Sequence, residues 1–137
     1  MARASIRSHR DLTVWQRAIQ LIAETYRLTA RFPRSELYGI VSQMRRAAIS
    51  IAANIAEGKA RRSTGDYLRF LAIANGSLRE LETYGDVSMT LGYTSAQELE
   101  RSRELAEEVG RMLSGLSSSL RRRQKESEGV RRSPSNP

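Results

Sequence analysis

Hydrophobic and polar positions follow a helical period through most of the chain. Between about residues 11 and 120, apolar residues recur three and four positions apart, which is the spacing of an amphipathic helix. Loop-forming residues divide this region into four segments, and no proline occurs between Arg34 and Ser133. Helices joined by short connections pack most simply side by side in alternating directions. The pattern therefore predicts an all-α protein, an up-down-up-down antiparallel four-helix bundle.

The first predicted helix, from about Asp11 to Ala30, has two neighbouring apolar stripes. One stripe is enough to pack a helix against a bundle, so we expect this helix to bury a second flank against another surface. The first stripe contains Trp15, Ile19, Ile22 and Tyr26, and the second contains Val14, Ala18, Leu21 and Leu28.

The second predicted helix, about residues 36–57, has apolar spacings that alternate between four and three, as in left-handed bundle packing. Its alanines, including Ala48 and Ala52, are expected to let a neighbouring backbone come close. Gly58 stands where a C-terminal cap is expected. The apolar positions of this helix are Leu37, Val41, Met44, Ala48, Ile51 and Ile55.

The third helix is predicted to begin at an N-cap, Ser63 or Thr64, and to end near Leu91. Gly76 and Gly85 inside it are expected at close helix contacts, on the alanine face of the second helix. The fourth helix is predicted from Thr94 or Ser95 to Leu120. Almost no apolar residue follows, so we expect a disordered basic tail. The predicted organisation is a basic leader (1–10), a bundle domain (11–120) and this tail (121–137).

The net charge of +8 is concentrated in three segments. Residues 1–10 contain three arginines and no acid, residues 57–69 have four basic and two acidic side chains, and residues 121–137 have six basic and two acidic ones. In the predicted topology these segments meet at one pole of the bundle, which we call the basic end. A localised basic patch attracts a polyanion and releases its counterions, which indicates nucleic acid as partner. Charge alone equally allows tails that only maintain solubility.

Other classes of function have little support in the sequence. The chain has no cysteine, which excludes a disulfide or a thiolate metal site. The only histidine, His9, falls in the leader, where no scaffold is predicted to position a general base. No phosphate-binding glycine motif, signal peptide or membrane span is evident. We therefore expect a soluble, cytoplasmic protein that is not an enzyme and has no cofactor, metal or membrane partner.

Three stretches of the sequence, DLTVWQRA, FPRSELYGIVSQMRRAAISIAANIAEGKARR and YLRFLAIANGSLRELETYGDVSMTLGY, resemble a known family. These are the four-helix bundle proteins encoded in intervening sequences of bacterial 23S rRNA genes, and the resemblance covers about residues 11–120. That family is similar to the accessory variability protein of diversity-generating retroelements, a homopentameric barrel with a basic surface that binds nucleic acid and a reverse transcriptase. The resemblance implies a pentameric, non-enzymatic protein that associates with RNA.

Two kinds of residue are candidates for the nucleic-acid site. The family-matching positions give Arg45, Arg46, Lys59 and Arg62. Charge alone adds Arg61 and the arginines after the match, Arg121, Arg122 and Arg123.

Two alternative functions stay open at this point. One is a structural adaptor that docks a partner protein, such as a reverse transcriptase, through apolar flanks. The other is a helical ribonuclease, which would have to work without a positioned histidine.

Overall fold

The structure, a computed structural model, describes residues 6–132, and within this range its regular elements are helical without a strand. Helical turns of three residues lie at His9–Asp11 and Arg34–Glu36. The all-α prediction is confirmed. The main helices are α1 (Thr13–Thr29), α2 (Ile40–Lys59), α3 (Thr64–Thr90) and α4 (Ala96–Arg132).

Each helix packs on two others: α2 lies between α1 and α3, and α4 closes the bundle against both of them. Ion pairs show that α1 and α4 run in opposite directions. Arg17 near the start of α1 meets Glu108, whereas Arg31 just after its end meets Glu98 near the start of α4. The chain is therefore a four-helix bundle in which consecutive helices are neighbours.

The two stripes of α1 have different environments. One lies in the core, where Ala18 and Leu21 are completely buried. The other, Trp15, Ile19, Ile22 and Tyr26, is only partly covered, and Ile19 remains 40% exposed. We call this stripe the apolar flank. The second apolar face predicted for this helix is thus present on the surface of a single chain.

The start of α2 differs from the prediction. Its helix begins at Ile40, because Pro33 first caps a short helical turn and Gly39 has a non-helical backbone. Leu37 consequently lies in the connection and is 46% exposed. The Glu36 carboxylate accepts a hydrogen bond from the Ile40 N–H at 3.2 Å and so satisfies a backbone donor in the first turn of α2. Apolar spacing alone could not separate this turn from the helix.

The glycines also have different roles from those expected. Gly58 is not a cap, since α2 continues to Lys59 with Ala60 as C-cap. It instead lies where α2 approaches α3 closely. A Cβ on Gly76 would meet nothing within 4 Å, and one on Gly85 would face Leu99 of α4. The expected contact of these two glycines with the alanine face of α2 is therefore wrong.

The fourth helix continues past Leu120 to Arg132, where the sequence predicts a disordered tail. This segment contains good helix formers, Arg, Gln, Lys and Glu, and the next proline is Pro134. Leu120 is the last buried residue, and in the following stretch to residue 130 only Gln124 is half-buried. The helix thus extends beyond the core. Residues 1–5 of the predicted leader and 133–137 of the predicted tail lie outside the described residues.

Among residues 6–132, no helix is long and apolar enough to span a membrane.

Candidate nucleic-acid interface

The bundle brings the described parts of the three basic segments to one end. The turn of helix at His9–Asp11 contacts α2, which leads into the α2–α3 connection. At the start of α3, a Cβ on Gly65 would lie 3.9 Å from the Nε2 atom of Gln124. The arginines at 121–123 are therefore level with the first turns of α3. This geometry agrees with the basic end expected from the sequence.

The described part of the leader, from residue 6, is held in place by a capped turn. The Ser8 hydroxyl accepts from the Arg10 N–H at 3.2 Å, and the Asp11 carboxylate accepts from the N–H groups of Arg7 (2.8 Å) and Ser8 (3.1 Å). These backbone donors hold the pKa of the Asp11 carboxyl below its usual range. The Gln16 side chain adds a 2.8 Å bond to the Arg10 carbonyl. Two of the leader's arginines thus have a defined place beside α1.

His9 is also more ordered than the sequence suggests. Its ring packs edge-on against Trp15, with 5.0 Å between the centroids. Within residues 6–132, its ring makes no side-chain hydrogen bond to a carboxylate or hydroxyl that would orient it for proton transfer. The turn around His9 is therefore folded, which the sequence did not predict, but the contact that orders the ring is one of packing.

The α2–α3 connection presents Lys59, Arg61 and Arg62. Ser63, one of the two residues predicted as N-cap, caps α3, since its hydroxyl accepts from the Asp66 N–H at 3.1 Å. Arg61 and Arg62 are exposed, and Lys59 is half-buried. Arg61 forms an ion pair with Glu57 at 2.7 Å.

Ion pairs involve most arginines on the body of the bundle but leave most cations of the basic end unpaired. On α3 and α4, for example, Arg79 pairs with Glu82 at 3.1 Å, and Arg103 pairs with Asp86 at 2.9 Å. At the basic end, eight basic residues between residues 6 and 130 have no carboxylate within 4.0 Å. They are Arg7, Arg10, Lys59, Arg62, Arg121, Arg122, Arg123 and Lys125.

The structure separates Arg45 and Arg46 from this end. Arg45 donates from Nε to the Thr29 hydroxyl at 3.0 Å, and its guanidinium lies 4.4 Å from the centre of the Tyr26 ring. Both contacts are with the C-terminal half of α1. At a rise of about 1.5 Å per residue, Arg45 is about 21 Å along α2 from Lys59. The candidate residues therefore form two groups, one at the basic end and one on the side of the bundle.

Sequence reasoning named Arg61 as a candidate but missed its grouping with Arg69 and Phe70. The guanidinium groups of Arg61 and Arg69 lie over the Phe70 ring, 4.8 and 4.5 Å from its centre. Arg69 adjoins Phe70 in the sequence, but the approach of Arg61 depends on the α2–α3 crossing. Only the fold could bring these three side chains together.

Other kinds of site are poorly supported. In the described part of the chain, no group of three or more His, Asp or Glu side chains could hold a metal ion. A cavity of about 540 Å³ opens between α3 and α4, over an apolar floor that includes Leu21, Met44 and Ala106. Arginines at its rim, such as Arg79 and Arg103, already pair with neighbouring carboxylates.

Comparison with known proteins agrees with the fold. Residues 10–115 match the sequence profile of a family described as "23S rRNA-intervening sequence protein". A solved structure of similar fold is a protein of unknown function from the S23 ribosomal protein family of Bacteroides thetaiotaomicron VPI-5482. The two align with a TM-score of 0.69 and 19% sequence identity, over 77% of this chain and 98% of the other. No curated protein matches the sequence.

Proposed function

Since the chain belongs to the 23S rRNA-intervening sequence protein family, we propose that it is a non-enzymatic, self-assembling protein that binds RNA through its basic end. The name of the family refers to an RNA gene. The structure contributes a surface whose charge suits a polyanion. No catalytic or cofactor chemistry is needed for this function.

One observation carries the RNA-binding proposal: among the described residues, eight cations without an ion-pair partner lie at the basic end, whereas elsewhere seven arginines are paired and only Arg34, Arg45 and Arg46 are not. A cation that already contacts a carboxylate gives up that contact when it binds a phosphate. An unpaired one releases only water and diffuse counterions, so its contribution to polyanion binding is larger. Lys59, Arg62 and Arg121–Arg123 provide such cations on two neighbouring helix ends.

Self-assembly is supported by the apolar flank of α1. Tyr26 contacts Arg45 of α2, and the next turns of the two antiparallel helices carry Ile22 and Ile49. Ile49 is 45% exposed. An apolar surface shared by two helices is typical of an interface between protein chains. We propose a homo-oligomer, with five copies as the resemblance implies, in which this surface is covered.

The experiment that tests RNA binding reverses charge at the basic end. A variant with Lys59→Glu, Arg62→Glu and Arg122→Glu is compared with the wild type by fluorescence anisotropy on a labelled RNA at several salt concentrations. The expected result is weaker binding and a flatter salt dependence, whose slope falls by about one unit for each phosphate that the variant no longer neutralises. Deleting residues 121–137 should weaken binding in the same direction.

A matched control makes the same change of net charge elsewhere. Arg79→Glu, Arg101→Glu and Arg111→Glu reverse three paired arginines on α3 and α4, away from the basic end. If the control loses as much affinity as the first variant, the attraction depends on total charge and the basic end is not the site. If neither variant loses affinity, although circular dichroism shows that both are folded, the RNA-binding proposal is wrong.

A second candidate function is an adaptor that docks a partner protein, such as a reverse transcriptase. The observation that favours it is the group of residues on the side of the bundle, Arg45, Arg46 and Tyr26, which combines charge with an exposed aromatic ring. Capture of the partner that is insensitive to salt, and that is abolished in Arg46→Glu, would support this function over RNA binding.

A further inference from the structure

Two arginines and one phenylalanine form a preorganised group at the basic end. Arg61, from the α2–α3 connection, and Arg69, on α3, both place a guanidinium over the Phe70 ring, at 4.8 and 4.5 Å from its centre. The two cations reach the same ring from different parts of the chain. We call these three residues the Arg–Phe stack.

The backbone and two carboxylates hold the stack in position. Gly58 allows α2 to approach α3 so closely that a Cβ there would lie 3.0 Å from the Cβ of Phe70. This contact brings the end of α2 beside the ring. Glu57 then pairs with Arg61 at 2.7 Å, and Asp66 pairs with Arg69 at 3.7 Å. Each arginine is therefore held by a ring and by a carboxylate.

These contacts change what the two arginines offer to a ligand. Their charges are largely balanced by Glu57 and Asp66, so they add less than Lys59 or Arg62 to the attraction of phosphates. Yet the Arg61 and Arg69 side chains stay 43% and 59% exposed. A fixed, planar and exposed guanidinium is a surface on which a nucleobase stacks.

We propose that the Arg–Phe stack binds unpaired bases, and that the basic end therefore prefers single-stranded RNA to duplex RNA. This inference rests on the proposed function. The unpaired cations around the stack, Lys59, Arg62 and Arg121, bind phosphates of the same strand. A duplex presents phosphates but keeps its bases stacked inside, whereas a flexible single strand presents both.

The test separates planarity from charge. The variant Arg61→Lys/Arg69→Lys keeps both positive charges and removes both planar groups. Its affinity is measured by fluorescence anisotropy for a labelled twelve-nucleotide single strand, for the duplex of the same sequence, and for the same strand carrying abasic positions. The wild type should bind the intact strand more tightly than either other probe.

The lysine variant should show a decrease of about tenfold in the ratio of single-strand to duplex affinity, the scale expected when one base no longer stacks. Its salt dependence should stay that of the wild type, because the number of charges is unchanged. Phe70→Leu should reduce the same ratio, and circular dichroism checks its folding because Phe70 is half-buried. The lysine variant decides the question if that substitution unfolds the protein.

Equal affinity of the wild type for the intact strand and for the abasic strand or the duplex would overturn the inference. So would a lysine variant that keeps the wild-type ratio. In either case the charge-reversal variant of Lys59, Arg62 and Arg122 distinguishes base stacking from phosphate binding. If it still weakens RNA binding, the proposed function stands without base stacking. If it does not, both proposals are wrong.

Discussion

Gly58 and Phe70 lie in contact where α2 ends against α3, and a Cβ added at position 58 would be 3.0 Å from the Phe70 Cβ. The same atom would be 3.0 Å from Cδ1 of Tyr67 and 3.3 Å from its carbonyl oxygen. Backbone cannot move aside as a flexible side chain does. The α2–α3 crossing at the basic end therefore depends on the absence of a side chain at this position.

The first prediction concerns this crossing. Gly58→Ala should lower the free energy of unfolding by about 1–3 kcal/mol, because overpacking forces the helices apart. Denaturant unfolding followed by circular dichroism measures the change. Gly76→Ala is the control, since its Cβ would meet nothing within 4 Å. That substitution should stabilise the protein by up to about 1 kcal/mol through helix propensity. Equal effects of the two substitutions on the free energy of unfolding would show that a Cβ at position 58 fits between α2 and α3 without forcing them apart.

The second prediction concerns the centre of the bundle. Ala48 is completely buried on the inner face of α2. Ala48→Leu should overpack this face and destabilise the protein by about 1–3 kcal/mol. An unchanged melting temperature would mean that the core accommodates the larger side chain and that the helices are less closely packed than the structure shows.

The third prediction concerns assembly. Light scattering of the wild type should give a mass several times that of the 15.4 kDa chain, and five times if the resemblance holds in this respect. Ile19→Lys/Ile49→Lys places two charges on the exposed surface of α1 and α2 and should reduce the mass to that of a monomer. Ile73→Lys is the control, because Ile73 is similarly exposed (43%) but lies on α3. A wild type that is monomeric at micromolar concentration would contradict the assembly proposal.

The fourth prediction concerns the pH dependence of the leader. The pKa of the Asp11 carboxyl is lowered in the folded protein, since it accepts from the backbone N–H groups of Arg7 and Ser8. The stabilisation that the Asp11 carboxylate contributes to the folded protein is therefore complete above the unfolded pKa of about 3.9. It disappears as the pH falls through the lower folded pKa. Trp15, the only tryptophan, packs against His9 of the same turn and reports the change by its fluorescence.

The control for this pH dependence is Asp11→Asn, which should remove the transition in tryptophan fluorescence below about pH 4. His9→Phe keeps an aromatic ring next to Trp15 and so keeps the packing contact that the fluorescence reports. A transition that persists unchanged in Asp11→Asn would show that another group loosens the leader.

The sequence predicts a helix, and the face by which it packs on its neighbours, well where a single periodic signal defines that helix. The buried stripe of α1, the Ser63 cap and the end of α3 near Leu91 follow from spacing and capping chemistry. Leu37 shows the limit, because a short helical turn between Pro33 and Gly39 continues the apolar period without being part of α2. The end of α4 shows another, since composition indicates that no core forms there but does not decide whether the chain is helical.

The candidate site depends more strongly on tertiary structure. That basic segments meet at one end follows from four helices of alternating direction, and it could be predicted. Which cations lack an ion-pair partner could not be predicted, because Arg61 and Arg62 are adjacent in sequence yet only Arg61 pairs with a carboxylate. The Arg–Phe stack was also beyond sequence reasoning, since it requires the close α2–α3 approach at Gly58.

In the last turns of α4, after Leu120, helix formation depends on charge. After Leu120 the helix has no core to support it, so its order depends on local propensity, and short unsupported helices are marginal in water. Three consecutive arginines repel one another there, and a bound polyanion removes that repulsion. Under the proposed function, helix formation in this segment is therefore thermodynamically linked to RNA binding, and we expect the concentration of salt to change both the helicity of these turns and the affinity of the basic end for RNA.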